Sequence, residues 1–254
     1  MRVLILGGGN AATRYAESLV WDSDINLTLC NMGVFNKTKE LGKKLAISCI
    51  DYNSLNKNNI NNYDCIIITL PPSVKRKYVE SIVNDFAFKG SLILEKPLCT
   101  NRQDLIAYND CLNKLNKVAI VCQRDFDIDN YKIQKSNLYE VNFKSITDDL
   151  EFNIINQLPH ILSWFYTNGI IFNNSKVENN QVVLTSDKSE IRINFSSKFV
   201  DFNTTINGIL YGEVNYRKLN SLIVKKVLNY NKSDSIANIK KAIYVSQIIV
   251  ELLN

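Results

Sequence analysis

The chain has 254 residues, with 46% hydrophobic and 22% charged residues, a composition typical of a globular protein with one large or two small domains. Its formal net charge is +5, but the basic residues form no dense block interleaved with aromatic residues, which argues against nucleic-acid binding. No apolar run approaches the ~18 residues of a membrane span, and no signal-peptide pattern opens the chain. We therefore expect a cytoplasmic protein without a membrane partner.

The cysteines indicate a reducing compartment and no metal site. None of the six forms a C-x-x-C pair, and the chain has only one histidine, so no zinc site is predicted. Several lie in apolar, strand-like runs, which is typical of reduced core residues in a cytosolic protein. They are Cys30, Cys49, Cys65, Cys99, Cys111 and Cys122.

The first half of the chain alternates short apolar runs with helical patterns, which predicts a parallel sheet with helices on both faces. The predicted strands are residues 3–6, 25–30, 48–51, 65–70, 91–94 and 118–122. The predicted helices run from the turn at 7–12 to about residue 20, and over 37–45, 74–86 and 104–115, with a surface loop at 53–62. The pattern predicts an α/β fold whose N-terminal domain, residues 1–123, is a Rossmann-type doubly wound parallel sheet.

Beyond residue 124 the pattern changes to strands in succession. The predicted strands are residues 138–143, 177–183, 190–196, 199–206 and 209–216, and the predicted helices are 153–166 and 235–253. Asn207-Gly208 is a strong hairpin signal between the last two strands. Because strands follow an α/β half, we predict a second, α+β domain over residues 124–254 with a mainly antiparallel open sheet.

A glycine-rich turn joins the first predicted strand to the first predicted helix. The letters GGGNAA at 7–12 fit the dinucleotide pattern G-x-G-x-x-A. Gly7 would make the tight turn and Gly9 would let the backbone approach a diphosphate. The amide groups of Asn10 and Ala11, at the helix N-terminus, would hold the phosphates. The alternative is a glycine-rich turn without a ligand.

The end of the second predicted strand bears on which cofactor would bind. An acid is expected there, about 20 residues after the glycines, to hold the ribose hydroxyls. Asn31 occupies the position instead, with Lys37 and Lys39 shortly after it. A neutral residue near lysines is compatible with the 2′-phosphate of NADP, whereas the lysines could equally be solvated residues of a helix. NAD and NADP both stay open.

Together with two later motifs, the glycine-rich turn resembles the glucose–fructose oxidoreductase/inositol dehydrogenase (Gfo/Idh/MocA) family. The motifs are a strand ending in Thr69-Leu70-Pro71-Pro72 and the triplet Glu95-Lys96-Pro97 behind an apolar run. The similarity covers residues 1 to about 127, including Gln123-Arg124-Asp125-Phe126, which is similar to the family's Arg-Phe element. The resemblance implies NAD(P) bound beside Thr69, Pro71 and Glu95. It also implies a small-molecule substrate and a homo-oligomer, dimer or tetramer, formed through the second sheet.

The resemblance also implies the catalytic residues. Lys96 would hydrogen-bond the substrate near the nicotinamide, and a lysine beside a dry cleft is readily tuned as a donor. A lysine on the surface is the alternative. His160, the chain's only histidine, would exchange the hydroxyl proton, or would be a packed core residue.

The family has aspartates four residues before and three residues after this histidine, positions that share its helix face. Asn156 and Ser163 occupy them here, so no carboxylate would raise the pKa of His160. Asn156 and Arg124 are candidate substrate contacts, although Arg124 could instead cap the sheet edge.

These residues predict an NAD(P)-dependent oxidoreductase that moves a hydride between nicotinamide and a secondary alcohol or ketone. By resemblance the substrate would be a sugar, a nucleotide-linked sugar or a cyclitol. The short chain and the missing carboxylates leave a rival open, reduction of a C=N or C=C bond as in imine, amino-acid or bilin reductases. A catalytically weak nucleotide-binding sensor or regulatory protein is the alternative from another class.

Overall fold

The computed structural model describes residues 1–33, 36–126, 131–198, 204–212 and 215–254, with the backbone alone for 216–218. Six of the described strands form a parallel sheet in the order β3-β2-β1-β4-β5-β6, which confirms the predicted doubly wound fold. The strand order reverses between β1 and β4, so a crevice opens at the carboxyl ends of these two strands. The strands are β1 Arg2–Leu6, β2 Asn26–Asn31, β3 Ser48–Asp51, β4 Cys65–Ile68, β5 Ser91–Glu95 and β6 Val118–Val121.

The helices of the first half follow the predicted pattern. They are α1 Asn10–Leu19, α2 Lys37–Leu45, α3 Pro72–Glu80 and α4 Arg102–Leu112. The α1 helix buries Ala12, Tyr15, Ala16 and Leu19, a spacing that forms one apolar face against the sheet. Proline at its first turn starts α3, and the predicted helix 74–86 continues beyond it as one wider π-helical turn, Ser81–Asp85.

The second sheet is mixed and mainly antiparallel, as predicted. Its order is β12-β11-β7-β10-β9-β8, and within it β7 and β10 pair in parallel while the other described pairs are antiparallel. The strands are β7 Leu138–Lys144, β8 Asn174–Glu178, β9 Gln181–Thr185, β10 Glu190–Ser196, β11 Thr204–Ile206 and β12 Ile209–Tyr211.

Two of the strand predictions in the second half are wrong. The predicted strand 177–183 is interrupted by Asn179 and Asn180, whose φ angles of 50° and 61° form the turn between β8 and β9. Asparagine tolerates this conformation, so two adjacent asparagines reverse the chain. The predicted strand 209–216 ends at Tyr211, and α7 Tyr216–Leu228 begins where a strand was expected. Of the predicted strand 199–206 only 204–206 lies within the described residues, whereas the hairpin turn Asn207-Gly208 is confirmed.

The predicted helix 153–166 consists of two helices, α5 Leu150–Asn156 and α6 Leu158–Thr167. The break lies at Gln157, directly before the first turn of α6, where Pro159 has no N–H to continue the preceding helix. This break separates Asn156, the last residue of α5, from His160 in the first turn of α6.

The C-terminal helices return to the first sheet. Leu219, Ile223 and Val224 of α7 belong to the same core as α1 and β1. The last helix, α8 Lys232–Leu253, contains the predicted helix 235–253, and its Asn238 Oδ1 accepts a hydrogen bond of 2.7 Å from the backbone N of Ile120. The division at residue 123 stays a prediction. Within the described part of the chain, no helix is long and apolar enough to cross a membrane.

Candidate active site

A cleft of about 700 Å³ lies where the carboxyl ends of β1, β4, β5 and β6 face α5, α6 and the end of β7. It occupies the crevice in which open α/β sheets bind ligands. The first half of the chain contributes Asn10, Ala11, Arg14, Tyr15, Thr69, Leu70, Pro71, Pro72, Glu95, Lys96, Pro97, Gln123 and Arg124. The rest contributes Phe143, Lys144, Ile146, Phe152, Asn156, Gln157, His160 and Asn220.

The glycine-rich turn leads into α1, whose first residues, Asn10 and Ala11, line this cleft. Gly7 has φ +116°, and a Cβ atom there would lie 2.6 Å from Thr69 Oγ1, which itself donates to Leu6 O at 2.8 Å. A Cβ atom at Gly9, the N-cap of α1, would have no protein atom within 4 Å. No side chain caps α1 and its first turn holds no acid, so its N-terminal amides are open to an anion. These features fit the diphosphate of a dinucleotide.

Asn31 lies apart from the cleft residues, at the end of β2. Its Nδ2 donates to Asp51 Oδ1 at 2.8 Å, and Lys39 Nζ lies 3.6 Å from the same oxygen. The hydrogen bond from Asn31 and then the charge of Lys39 lower the pKa of Asp51. An acid, Asp51 of the neighbouring strand β3, thus lies beside Asn31, and Lys39 is paired with it. Asn31 Oδ1 is buried and accepts no hydrogen bond from the described residues.

Lys96 follows β5 and reaches across the cleft to α5. Its Nζ donates to the backbone O of Asn156. Burial lowers the pKa of Lys96, and the negative charge of Glu95 acts in the opposite direction. Burial likewise raises the pKa of Glu95, while Lys96 and Lys75 lower it. The triplet predicted from the sequence therefore places a lysine in a desolvated position inside the cleft.

His160 lies on α6, half-buried, in the same cleft as Lys96. Burial, followed by the positive charges of Lys96, Arg124 and Arg14, holds its pKa well below the ordinary value of 6.5. The imidazole is therefore neutral near pH 7 and can accept a proton. This result agrees with the expectation that, without carboxylates, nothing raises its pKa.

The two residues that replace the family's carboxylates differ in position. Asn156 lines the cleft, and its side chain donates to Phe152 O at 3.0 Å. Ser163 is buried outside the main cleft, and its hydroxyl donates to Asp125 Oδ2 at 2.6 Å. Lys241 pairs with the same carboxylate oxygen. Asp125 and its partners therefore stabilise the junction of α6 and α8 behind the cleft.

Arg124 lines the cleft but is held by the protein. Its guanidinium carbon lies 4.6 Å from the ring centre of Trp164 and 5.2 Å from that of Tyr131, and Nη1 donates to Thr204 Oγ1 at 3.1 Å. Such contacts stabilise a buried guanidinium. They show Arg124 packed between side chains of the second half of the chain, while a cap on the sheet edge and a contact with substrate both stay predictions.

Most of the residues predicted for the site line this one cleft. Gly7 and Gly9 lie in the turn directly before the lining residues Asn10 and Ala11, and like Asn31 they are not part of the lining. The predicted residues that line it are Asn10, Ala11, Thr69, Pro71, Glu95, Lys96, Arg124, Asn156 and His160.

The sequence interpretation missed several lining residues. Arg14 stands four residues after Asn10 on α1, and this spacing could have indicated it. Lys144 directly follows Phe143 at the end of β7, and Asn220 belongs to α7, a helix that the sequence interpretation did not predict. For Asn220 the sequence offers no local signal.

Comparison with known proteins agrees with this fold and cleft. The model of the Gfo/Idh/MocA family, described as an oxidoreductase family with an NAD-binding Rossmann fold, matches residues 1–123. The search among curated proteins found no match.

Solved structures match over nearly the whole chain. A myo-inositol dehydrogenase from Corynebacterium glutamicum has 12% identity and a TM-score of 0.70, with 100% of this chain and 95% of that chain covered. GenD2 from gentamicin A biosynthesis, in complex with NAD, has 11% identity and a TM-score of 0.70, with 100% and 93% covered. An apo scyllo-inositol dehydrogenase from Lactobacillus casei has 12% identity and a TM-score of 0.68, with 98% and 95% covered. At these identities the likeness establishes a shared fold.

The fold, the glycine-rich turn and the cleft define an NAD-binding oxidoreductase of the Rossmann type. The resemblance seen in the sequence is confirmed, since residues 1–123 match the model of the Gfo/Idh/MocA family.

Proposed function

We propose that the protein transfers a hydride between NAD(P) and a secondary alcohol or ketone of a sugar, a nucleotide-linked sugar or a cyclitol. The observation that carries this proposal is that Lys96 and His160, more than sixty residues apart in the sequence, line one cleft with the N-terminus of α1. The inositol dehydrogenases among the structural neighbours support the substrate class.

The cofactor would lie along the cleft from the glycine-rich turn to Lys96. The backbone at Gly9, Asn10 and Ala11 would hold the diphosphate, because these amides lie at an uncapped helix N-terminus. Thr69, Pro71 and Glu95 would form the wall toward the nicotinamide. When bound, the cofactor supplies the hydride acceptor or donor. Asn31, at the end of β2, would contact a ribose hydroxyl.

The protein groups act on the proton and the oxygen of the substrate. Lys96 Nζ would donate a hydrogen bond to the reacting oxygen, and Asn156 would help to orient it. The neutral ring of His160 would accept the hydroxyl proton during oxidation and return it during reduction. Burial and the cations Lys96, Arg124 and Arg14 disfavour the imidazolium form.

Separate tests of binding and turnover check these roles. Wild type, Lys96→Met and His160→Gln are titrated with NADH and NADPH by fluorescence and assayed on inositols, hexoses, nucleotide-linked sugars and cyclic imines. We expect both variants to keep cofactor affinity within about threefold and to lose at least ~10²-fold in turnover. Lys77→Met, on an exposed position of α3, is the control. Wild-type turnover in both variants would contradict the assigned roles.

The same panel separates the rival functions. Reduction of a cyclic imine without oxidation of any polyol would favour the C=N or C=C reductase, for which Lys96 would be the proton donor. Cofactor binding without turnover of any compound would favour a sensor. The replacement of the family's two aspartates by Asn156 and Ser163 is the observation that keeps these rivals open.

We further propose that the protein forms a homo-oligomer through the outer face of the second sheet. We also propose that it is cytoplasmic. The outer face carries polar residues on adjacent strands, including Glu140, Asn142, Arg192 and Asn194. The six cysteines are free thiols, which supports a reducing compartment. Light scattering after size exclusion, with Arg192→Glu as the variant, tests the oligomer. A mass of one chain for the wild type would contradict it.

A further inference from the structure

One buried lysine has no part in the proposed chemistry. Lys75, in the first turn of α3, is 0% exposed, and its Nζ donates to the backbone O of Glu95 and, at 2.8 Å, to the backbone O of Pro97. Within the described residues it forms no ion pair with a carboxylate within 4 Å. A buried ammonium costs several kcal/mol unless hydrogen bonds compensate it. An apolar side chain would fill the same space at lower cost, so packing alone does not explain a lysine here.

The two carbonyl groups that Lys75 binds lie on either side of Lys96. They belong to the last residue of β5 and to the proline of the triplet. A donor that holds both carbonyls limits rotation of the Glu95–Lys96 peptide group and of the Pro97–Leu98 peptide group, one before and one after Lys96. The direction of the Lys96 Cα–Cβ bond is restricted as a result. This restriction directs the Lys96 side chain toward Asn156 O.

The same residue is joined to the wall of the cleft. The backbone N of Lys75 donates to Pro71 O at 3.0 Å, and Pro71 and Pro72 both line the cleft. A short, rigid path thus runs from the predicted cofactor wall through Lys75 to the backbone that carries Lys96.

We propose that Lys75 is a positioning residue, whose two hydrogen bonds hold the Glu95-Lys96-Pro97 turn so that Lys96 points into the cleft. This proposal rests on the proposed function in one respect: the position of Lys96 affects turnover only if Lys96 acts on the substrate. A depressed pKa agrees with the enclosure of Lys75, since burial lowers it to about 7 while the charge of Glu95 raises it. A neutral amine still has two N–H groups for the two carbonyls.

Two substitutions separate the hydrogen bonds from the charge. Lys75→Met is similar in length and removes both donors, whereas Lys75→Gln removes the charge but keeps a donating NH₂ group. Lys77→Met, on the same helix and exposed, is the matched control. The direct readout is NMR of ¹³Cε-labelled lysine, in which the Lys96 signal is assigned from Lys96→Met.

We expect wild-type Lys96 to titrate below the exposed lysines. In Lys75→Met the titration midpoint of Lys96 should move toward that of the exposed lysines, and the Lys96 signal should sharpen. In Lys75→Gln the Lys96 titration should be closer to wild type, and in Lys77→Met it should be unchanged. Affinity for NADH should stay within about threefold, while turnover of the substrate found in the panel should fall about a hundredfold in Lys75→Met. In a Lys96→Met background, Lys75→Met should change turnover less than about threefold, because the effect acts through Lys96.

If Lys96 in Lys75→Met titrates as in wild type, the proposal is wrong. It is also wrong if the losses of turnover caused by Lys75→Met and Lys96→Met simply add in the double variant. If wild type binds neither NADH nor NADPH, the proposed function fails, and the NMR result still decides the role of Lys75. If neither variant folds, exchange of the Lys75 Nζ protons in wild type decides. Slow exchange supports the two hydrogen bonds, and exchange as fast as in exposed lysines contradicts them.

Discussion

Gly7 and Gly9 lie two residues apart in one turn, yet we expect their substitution by alanine to produce opposite effects. At Gly7 the φ of +116° is strained for any L side chain, which costs about 1–3 kcal/mol. The new Cβ would also lie 2.6 Å from Thr69 Oγ1, whose hydrogen bond to Leu6 O is worth about 0.5–1.5 kcal/mol. Together these terms predict a loss of about 2–4 kcal/mol in the free energy of unfolding.

At Gly9 the backbone is extended, with φ −82° and ψ −172°, which alanine adopts without strain. The added Cβ has no protein atom within 4 Å, so stability should change by less than about 0.5 kcal/mol. The same Cβ would occupy space that a bound diphosphate needs. Loss of one charged hydrogen bond, about 1.5–3 kcal/mol, predicts a dissociation constant for NADH that rises about 10- to 100-fold.

Urea unfolding and NADH fluorescence titration measure the two effects on the same samples. Gly7→Ala should lower the unfolding midpoint, and Gly9→Ala should weaken NADH binding at an unchanged midpoint. If Gly9→Ala binds NADH like wild type, the diphosphate does not lie at this turn. If Gly7→Ala unfolds at the wild-type midpoint, the strain assigned to Gly7 is wrong.

Two further measurements test the electrostatics of the site. His160 is the only histidine, so its C2–H signal in tag-free protein should stay that of the neutral ring until well below pH 6.5. In Lys96→Met it should titrate at higher pH, because a cation that disfavours the imidazolium is gone; titration at or above pH 6.5 in wild type would contradict this. Asp51→Asn should strengthen NADPH binding relative to NADH about fivefold, since it removes a carboxylate beside Asn31 and frees Lys39. An unchanged NADPH/NADH ratio would place the ribose elsewhere.

Local patterns in the sequence were sufficient for the first half of the fold. A strand buried on both faces, such as Cys65–Ile68, is an uninterrupted apolar run. In the helices between the strands, the apolar residues recur at the spacing of an α-helix. The errors lie in the second half, where the expected strand 177–183 contains two asparagines with positive φ. Polar residues such as asparagine occur both in a turn of this kind and on the exposed face of a strand. The alternation of polar and apolar residues therefore did not distinguish the turn from a continuous strand.

The α7 helix shows a different limit. Its buried residues Leu219, Ile223, Val224 and Val227 have a helical spacing, but the apolar run Ile209–Tyr211 before it was extended across the boundary. The stretch between the predicted strand 209–216 and the predicted helix 235–253 was assigned to no element, so Asn220 could not be placed in the cleft from the sequence.

By itself the sequence determined the glycine-rich turn, the Glu95-Lys96-Pro97 triplet and the Rossmann half that presents both, because each depends on neighbouring residues and on the order of strands. Only the tertiary structure decided what surrounds those groups. It placed Ser163 on Asp125 instead of in the cleft, supplied Asp51 beside Asn31, and buried Lys75 behind Lys96. These contacts join residues distant in the chain, and the burial and charges that they create shift the pKa of a side chain without leaving a pattern in the sequence around it.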